Sequence, residues 1–173
     1  LIGGDFNDTI EGYDGDDLVE GNGGNDLLSG GLGNDSLSGG SGDDILKGDE
    51  GNDVYLYNLG DGNDIINNFD ESIDNVDIIK FGSEILPLMT NVTQVGDDLV
   101  VSFKGNLGTL TIENYFQNNG VSDYSLSSIE FSDGSIWDYD TVQVNLLNGS
   151  DLDDTITGSD SDNQIDGQSG NDL

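Results

Sequence analysis

The sequence predicts an all-β chain that opens as a solenoid, and three observations carry that prediction. Asp8, Asp17, Asp26, Asp35, Asp44 and Asp53 stand nine residues apart without a slip. Each lies five places after a glycine that keeps the same period. Two places after each aspartate comes Ile10, Val19, Leu28, Leu37, Leu46 or Tyr55, so one large apolar side chain recurs per unit. A fixed short period means stacked units, none of which can bury its apolar face alone.

Laid in nines from Gly3, the chain reads GGDFNDTIE, GYDGDDLVE, GNGGNDLLS, GGLGNDSLS, GGSGDDILK, GDEGNDVYL. Position one is glycine in every unit, and position four is glycine in all but the first. Glycine at alternate turn positions allows positive φ at no steric cost, so the backbone can curl with its carbonyls facing one point. An aspartate ends the curl, and a three-residue strand follows. Of the 36 acidic residues 29 are aspartate, whose short arm suits a carboxylate held against backbone. Carbonyls plus carboxylates make an all-oxygen site for a hard divalent cation. Calcium accepts about six to eight such oxygens in a forgiving geometry, whereas magnesium demands octahedral order.

The pattern G-G-x-G-x-D-x-U-x, with U a large apolar residue, resembles the nonapeptide of the RTX calcium-binding proteins. That resemblance implies a parallel β-roll in which two nonapeptides make one coil, turns stack along two opposite edges, and calcium ions sit between stacked turns. Repeat n then meets repeat n+2. Asp8 would share an ion with Asp26, Asp17 with Asp35, Asp26 with Asp44, and Asp35 with Asp53. Carbonyls at positions two and four would complete the shells: Gly4 and Phe6, Tyr13 and Gly15, Asn22 and Gly24, Gly31 and Gly33, Gly40 and Gly42, Asp49 and Gly51. Phe6 departs from the pattern at position four, and Tyr13, Asn22 and Asp49 depart at position two. A carbonyl ligand survives such a change, but left-handed φ is strained for a side chain. The first repeat is therefore the weakest set.

After Tyr55 the register jumps, and Gly60-Asp61-Gly62-Asn63-Asp64 places its aspartate eleven residues after Asp53. Gly60, Gly62 and Asp64 form the next candidate set. The stretch NNFDESIDNVDIIKFG, Asn67 to Gly82, is similar to the closing coil of an RTX array, which implies Asp70 and Asp77 as terminal ligands. From 82 to 148 the chain is less glycine-rich, and apolar runs at Asn91 to Val95, Leu99 to Phe103, Thr109 to Glu113, Ser127 to Phe131 and Ser135 to Asp138 read as short strands. Gly96-Asp97-Asp98, Gly105-Asn106-Leu107-Gly108 and Ser132-Asp133-Gly134 between them have turn chemistry. A small antiparallel sheet continuing the roll is expected, with one helical turn near Ile112 to Asn118. GDDLVVSF, LTIENYF and IEFSDGSIWD resemble the segment that follows calcium repeats in haemolysin-type RTX proteins.

A second, weaker array starts at 149 as GSDLDDTIT, GSDSDNQID, GQSGNDL, with Asp154, Asn163 and Asp172 in the sixth position and Asp154 with Asp172 as a further candidate pair. The expected organisation is a roll with its closing coil over 1–81, an antiparallel β unit over 82–148, and the start of a second roll over 149–173. Leu1-Ile2 occupy positions eight and nine of a repeat that lacks its beginning, and Leu173 is position seven of an unfinished one. A segment of a longer protein is the expectation.

Composition narrows the function classes. A formal charge of −33, with Lys47, Lys80 and Lys104 the only cations, makes nucleic acid and anionic membrane surfaces poor partners. No histidine is present to activate a serine, and no histidine or cysteine to hold zinc. Acidic neighbours such as Asp16-Asp17, Asp43-Asp44 and Asp97-Asp98 face opposite ways on a strand and do not make a glycosidase pair. No catalysis is expected of this segment. Trp137, Tyr115, Phe116 and Phe131 are read as packed core rather than as a sugar-stacking patch. No apolar run is long enough to span a bilayer.

Units with one large apolar residue in nine cannot offset the entropy of ordering, and uncompensated carboxylates repel one another. Metal binding is expected to supply the difference, so that binding is folding. Extracellular calcium modules work at roughly 10⁻⁴ to 10⁻³ M. The RTX resemblance then implies a calcium-binding module that folds outside a bacterial cell, at or beyond its surface. It would be part of a larger exoprotein, a toxin or a relative, exported by type I secretion machinery. A spacer in a large surface adhesin, or an accessory domain of a secreted enzyme, are the alternatives. Any further protein or carbohydrate partner stays open.

Overall fold

A computed structural model describes residues 1–71, 75–105, 107–120 and 122–148. The second array from 149 onward, with Asp154, Asn163 and Asp172, lies outside the described residues, as do residues 72–74 of the closing coil and Asn106 of the turn over 105–108.

The repeats supply β1 (Thr9–Asp14), β2 (Leu18–Gly23), β3 (Leu27–Leu32), β4 (Ser36–Ser41), β5 (Ile45–Glu50), β6 (Val54–Tyr57), β7 (Asn63–Asn67) and β8 (Ile78–Phe81). Beyond them come β9 (Thr90–Val95), β10 (Asp98–Phe103), β11 (Thr109–Ile112), β12 (Ser128–Glu130), β13 (Ile136–Trp137) and one helix, α1 (Tyr139–Asn148). Odd strands of the repeats pair in parallel with odd ones, and even with even, giving one sheet ordered β1-β3-β5-β7-β11-β10-β9 and another ordered β13-β12-β8-β6-β4-β2. Leu28 meets Leu46 and Leu37 meets Tyr55, an offset of two repeats. This is a parallel β-roll.

Strands β1 to β5 run six residues rather than the three expected. After Glu11 meets Ser29, position one steps out of the ladder and pairing resumes with Tyr13 against Gly31 and Asp14 against Leu32. The same omission recurs at Gly21 and Gly39 and at Gly30 and Gly48. A strand therefore carries the last three positions of one repeat into the first three of the next. The glycine at the junction is the residue left out of the pairing.

The eighth position forms the core. Val19, Leu28, Leu37, Leu46 and Tyr55 are buried, and the columns run on through Ile66 and Ile79 into Ile112 and Ile129. Both sheets thus cross residue 82 without a break. β11 adds to β7 in parallel and then leads an antiparallel set with β10 and β9, while β12 adds to β8 in parallel and pairs antiparallel with β13. Aromatic rings fill the far end, with Tyr57 stacked on Phe103 at 5.3 Å and Phe131 edge-on to Trp137 at 4.7 Å. Tyr115, Phe116, Phe131 and Trp137 are all buried there, as core side chains.

Two local features differ from expectation. The helical turn falls at Gln117–Gly120, where Asn118 and Asn119 have φ of 51° and 58°; asparagine tolerates this left-handed region, so the turn closes instead of propagating. Helix α1 was not expected in a β unit. Asp138 precedes it and its Oδ1 accepts from the Thr141 N–H at 2.8 Å, an N-cap contact that starts the helix. Only Val142 of its apolar residues is fully buried, so its apolar pattern is too sparse to read.

Candidate metal centres along the two turn edges

Each turn begins from its glycines. Gly31 and Gly40 at position two have φ of 112° and 91°, and Gly15, Gly24, Gly33, Gly42 and Gly51 at position four have φ from 110° to 143°. Values above about 100° are close to glycine-only territory. Tyr13, Asn22 and Asp49 hold position two at φ of 72°, 73° and 67°, in the left-handed well that a side chain can occupy. The three departures at position two therefore keep the turn, which relaxes toward the left-handed minimum. Phe6 does not adopt positive φ and is 83% exposed, so the first turn is built differently.

The carbonyls these conformations aim lie in the gaps between stacked turns. A methyl placed on Gly31 would fall 2.0 Å from the Tyr13 carbonyl oxygen, and one on Gly33 would fall 2.5 Å from that of Gly15. Positions two and four of one turn thus point at the same positions two repeats on. Position one points the other way: a methyl on Gly30 would meet Asp35 Oδ2 at 2.2 Å and the Gly48 carbonyl at 2.7 Å. Gly21 stands likewise between Asp26 Oδ2 and the Gly39 carbonyl, at 2.2 and 2.4 Å. Carbonyl and carboxylate oxygens from both turns converge where no side chain can be tolerated.

The aspartates are held one-handed. Asp8 N–H donates to Asp26 Oδ1 at 2.8 Å and Asp26 N–H to Asp44 Oδ1 at 2.7 Å; on the other edge Asp17 N–H donates to Asp35 Oδ1 at 2.7 Å and Asp35 N–H to Asp53 Oδ1 at 2.8 Å. The aspartates that the RTX resemblance pairs are hydrogen-bonded neighbours on stacked turns of one edge. The second oxygens of Asp26, Asp35, Asp44 and Asp53 are buried and accept no hydrogen bond within the protein. A buried carboxylate oxygen without a partner is costly. A divalent cation in the gap is the group this donor set fits. Among the described residues no three carboxylates gather to hold an ion by side chains alone, so backbone carbonyls must supply the rest of any shell.

Electrostatics agree with that assignment. Without a cation, burial pushes the Asp53 and Asp64 carboxyls up to about 7, against the opposing hydrogen bonds from the Asp35 and Asp44 N–H groups. Burial also raises Asp35, Asp44 and Asp77. Neighbouring carboxylates add to the rise, and within the turns no lysine relieves it.

The ends of the array differ from its middle. In the first turn Asp8 Oδ2 accepts from its own Gly4 N–H at 2.7 Å, and the Gly4 carbonyl accepts from Gly23 N–H at 3.0 Å. The set of Gly4, Phe6 and Asp8 is turned in on itself. At the other end Asp44 N–H reaches Asp64 Oδ1 at 3.0 Å and Gly62 stacks over the Gly42 carbonyl, so the register jump is absorbed. Gly60 is left-handed but stands clear of that column. Asp53 N–H reaches Asp77 Oδ1 at 2.8 Å, which makes Asp77 the sixth-position residue of the closing coil. Asp70 Oδ2 accepts from Gly51 N–H at 3.0 Å, over the fourth position of the last regular repeat.

Three parts of the site are not expected from the repeat pattern. Asn68 and Asn75 donate to Asp77 Oδ2 at 2.9 and 3.0 Å, and Tyr55 donates its hydroxyl to Asn68 Oδ1 at 2.7 Å while accepting from Gly48 N–H. The closing coil is thus satisfied by amides. Outside the turns a second ladder runs with opposite polarity: Asn25 N–H to Asn7 Oδ1, Asn34 N–H to Asp16 Oδ1, Asp43 N–H to Asn25 Oδ1 and Asn52 N–H to Asn34 Oδ1. Its signal is position five, which is Asn or Asp in all six repeats.

Comparison with known proteins bears on the same residues. Residues 1–28, 20–55, 29–66 and 144–173 match the RTX calcium-binding nonapeptide repeat, and residues 98–141 match the haemolysin-type calcium binding protein related domain. The chain is 33% identical over 102 residues to the iron-regulated protein FrpA of Neisseria meningitidis serogroup C, a match covering 59% of this chain and 9% of that protein. Among solved structures it is similar to the AlgE6R3 subunit of the Azotobacter vinelandii mannuronan C5-epimerase, with 28% identity, a TM-score of 0.44, and coverage of 62% of this chain and 72% of that one.

Proposed function

The chain belongs to the family of proteins built on RTX calcium-binding nonapeptide repeats, and from that premise we propose that it is a calcium-gated folding module of a larger bacterial exoprotein. The repeats bind calcium. The proposal adds that the chain stays unfolded where calcium is scarce, passes a type I secretion channel in that form, and orders in the calcium of the cell exterior. One observation carries it. The buried, unpartnered oxygens of Asp26, Asp35, Asp44 and Asp53 leave the roll costly to form until a cation arrives.

The proposal assigns no catalysis to this segment. Its localisation is outside the cell or at the cell surface; among the described residues no helix is long and apolar enough to cross a membrane. A second reading, a rigid spacer within a long surface protein, draws on the FrpA match, which covers only 9% of that protein. Both readings share the calcium step and differ in what the rest of the protein does.

The test is far-ultraviolet circular dichroism of the chain during calcium titration, with magnesium as control. A cooperative gain of β signal with calcium and not with magnesium is expected. An equal response to both ions, or full β signal in chelator, would refute the gating.

A further inference from the structure

A concave groove of about 360 Å³ lies on the outer side of one turn edge. Tyr13, Gly31 and Asp49 stand in register on successive rungs of β1, β3 and β5, with Asp14, Leu32 and Glu50 beside them. Gly31 has no side chain, so its rung is a notch between those of Tyr13 and Asp49. Tyr13 is 70% exposed and Leu32 48%, and both line this one depression. Phe69 forms the end wall, fixed by its ring contact with Tyr124 at 5.3 Å.

The rim is acidic on every side. Asp14 and Glu50 occupy position three, outside the cradle of oxygens in the turns, and Glu71 lies beyond Phe69 and Asp70, whose Oδ2 accepts from Gly51 N–H. Ions bound between turns therefore leave the carboxylates of Asp14 and Glu50 unneutralised. None of the described residues lining the groove is basic. Three rungs at a strand spacing near 4.8 Å, with Phe69 and Glu71 beyond, span roughly 14 Å, about four residues of extended chain.

We propose that this groove, on the same calcium-ordered roll, docks a short extended peptide segment in which apolar side chains alternate with lysine or arginine. The apolar side chains cover Tyr13, Leu32 and Phe69, and the cations meet Asp14, Glu50 and Glu71. The floor is Gly31 and Tyr13, whose carbonyls face the gaps of that edge, so the groove has its shape only when the turns are stacked. Peptide binding is thus linked to calcium. The inference rests on the calcium reading above.

The probe is a fluorescein-labelled hexapeptide alternating leucine and lysine, followed by anisotropy in saturating calcium, beside serine–lysine and leucine–glutamate controls and spermidine as competitor. The leucine–lysine peptide is expected to bind about tenfold or more tightly than the serine–lysine one, as befits burial of apolar side chains. The leucine–glutamate peptide should not bind. Leu32→Ser and Glu50→Gln should each weaken binding several-fold. Position three carries Asp, Asp, Gly, Leu, Ser and Glu across the six repeats, so both variants keep the roll, which the calcium titration by circular dichroism verifies. Equal affinity for the serine–lysine peptide, displacement by spermidine at equal strength, or indifference to Leu32→Ser would overturn the groove while leaving the calcium reading intact. Failure of the wild-type chain to order with calcium would remove both.

Discussion

The roll and the unit that follows it are held together by different physics, although their sheets are continuous. In the roll each repeat after the first contributes one fully buried eighth-position residue, Ile10 of the first being only partly buried, and the four orphaned carboxylate oxygens of the described residues all lie there. In the unit over 82–148, the buried residues include Leu99, Val101, Phe103, Leu110, Tyr115, Phe116, Ile129 and Trp137, with ring pairs at 4.7 to 6.2 Å. Apolar burial stabilises by roughly 25 cal/mol per Å² regardless of ions. The second region can therefore order on packing, whereas on the proposed reading the first depends on what fills its turns. On the proposed reading a repeat can be as short as nine residues because a cation completes what one apolar residue does not.

Three variants of condition or sequence sharpen that contrast, in falling order of effect. Asp35→Ala is the most damaging, because Asp35 accepts from Asp17 N–H on one side and donates its own N–H to Asp53 on the other. Isothermal calorimetry should show calcium stoichiometry falling at both adjoining gaps and cooperativity lost along that edge; an unchanged stoichiometry would break the stacking scheme. Next come core truncations. Trp137→Ala should cost about 3–5 kcal/mol, and Leu37→Ala about 2–5 kcal/mol, by the usual penalty for a core cavity. The two should separate in calorimetric calcium titrations: Trp137→Ala leaves ion stoichiometry unchanged, whereas Leu37→Ala raises the calcium needed for half ordering.

The third is pH. In the ion-free roll Asp53 and Asp64 titrate near 7, against about 3.9 for an unfolded aspartate. A carboxyl raised on folding favours the folded state fully below the unfolded value, and that contribution is lost as pH rises through the folded value. Ion-free chain should therefore show more β signal at about pH 5 than at about pH 8. Ligation needs the ionised carboxylate, so the calcium midpoint should fall as pH rises toward and through 7. The unit over 82–148, where none of the described acidic residues is buried, should be indifferent to both changes.

The same contrast governs what the sequence discloses. A strict period shows the repeating unit and its apolar eighth position in the residues, while the aspartate pairs and the two edges follow from the RTX resemblance that the period carries. Asp77 is legible only as a terminal candidate, because its offset of 24 residues from Asp53 breaks the period. Tyr55 reads as another apolar residue, yet its hydroxyl ties Gly48 to Asn68. That contact depends on where the chain returns after an irregular loop. The strands over 90–137 follow their alternation, but the parallel addition of β11 to β7 and of β12 to β8 does not, since a long-range pairing leaves no local trace. Helix α1 rests on the cap at Asp138 rather than on a strong apolar face.

Amide hydrogen exchange at Asp17, Asp26, Asp35 and Asp44 reads the capture of cations most directly. Each N–H donates to the aspartate of the next turn on its edge, and for Asp17, Asp26 and Asp35 the acceptor's second oxygen is buried and unpartnered, while Asp44 donates to Asp64. The account predicts that these amides are strongly protected in calcium and exchange freely in chelator, while those of β10 and β11 stay protected in both. Equal protection of the four aspartate amides with and without calcium would contradict it.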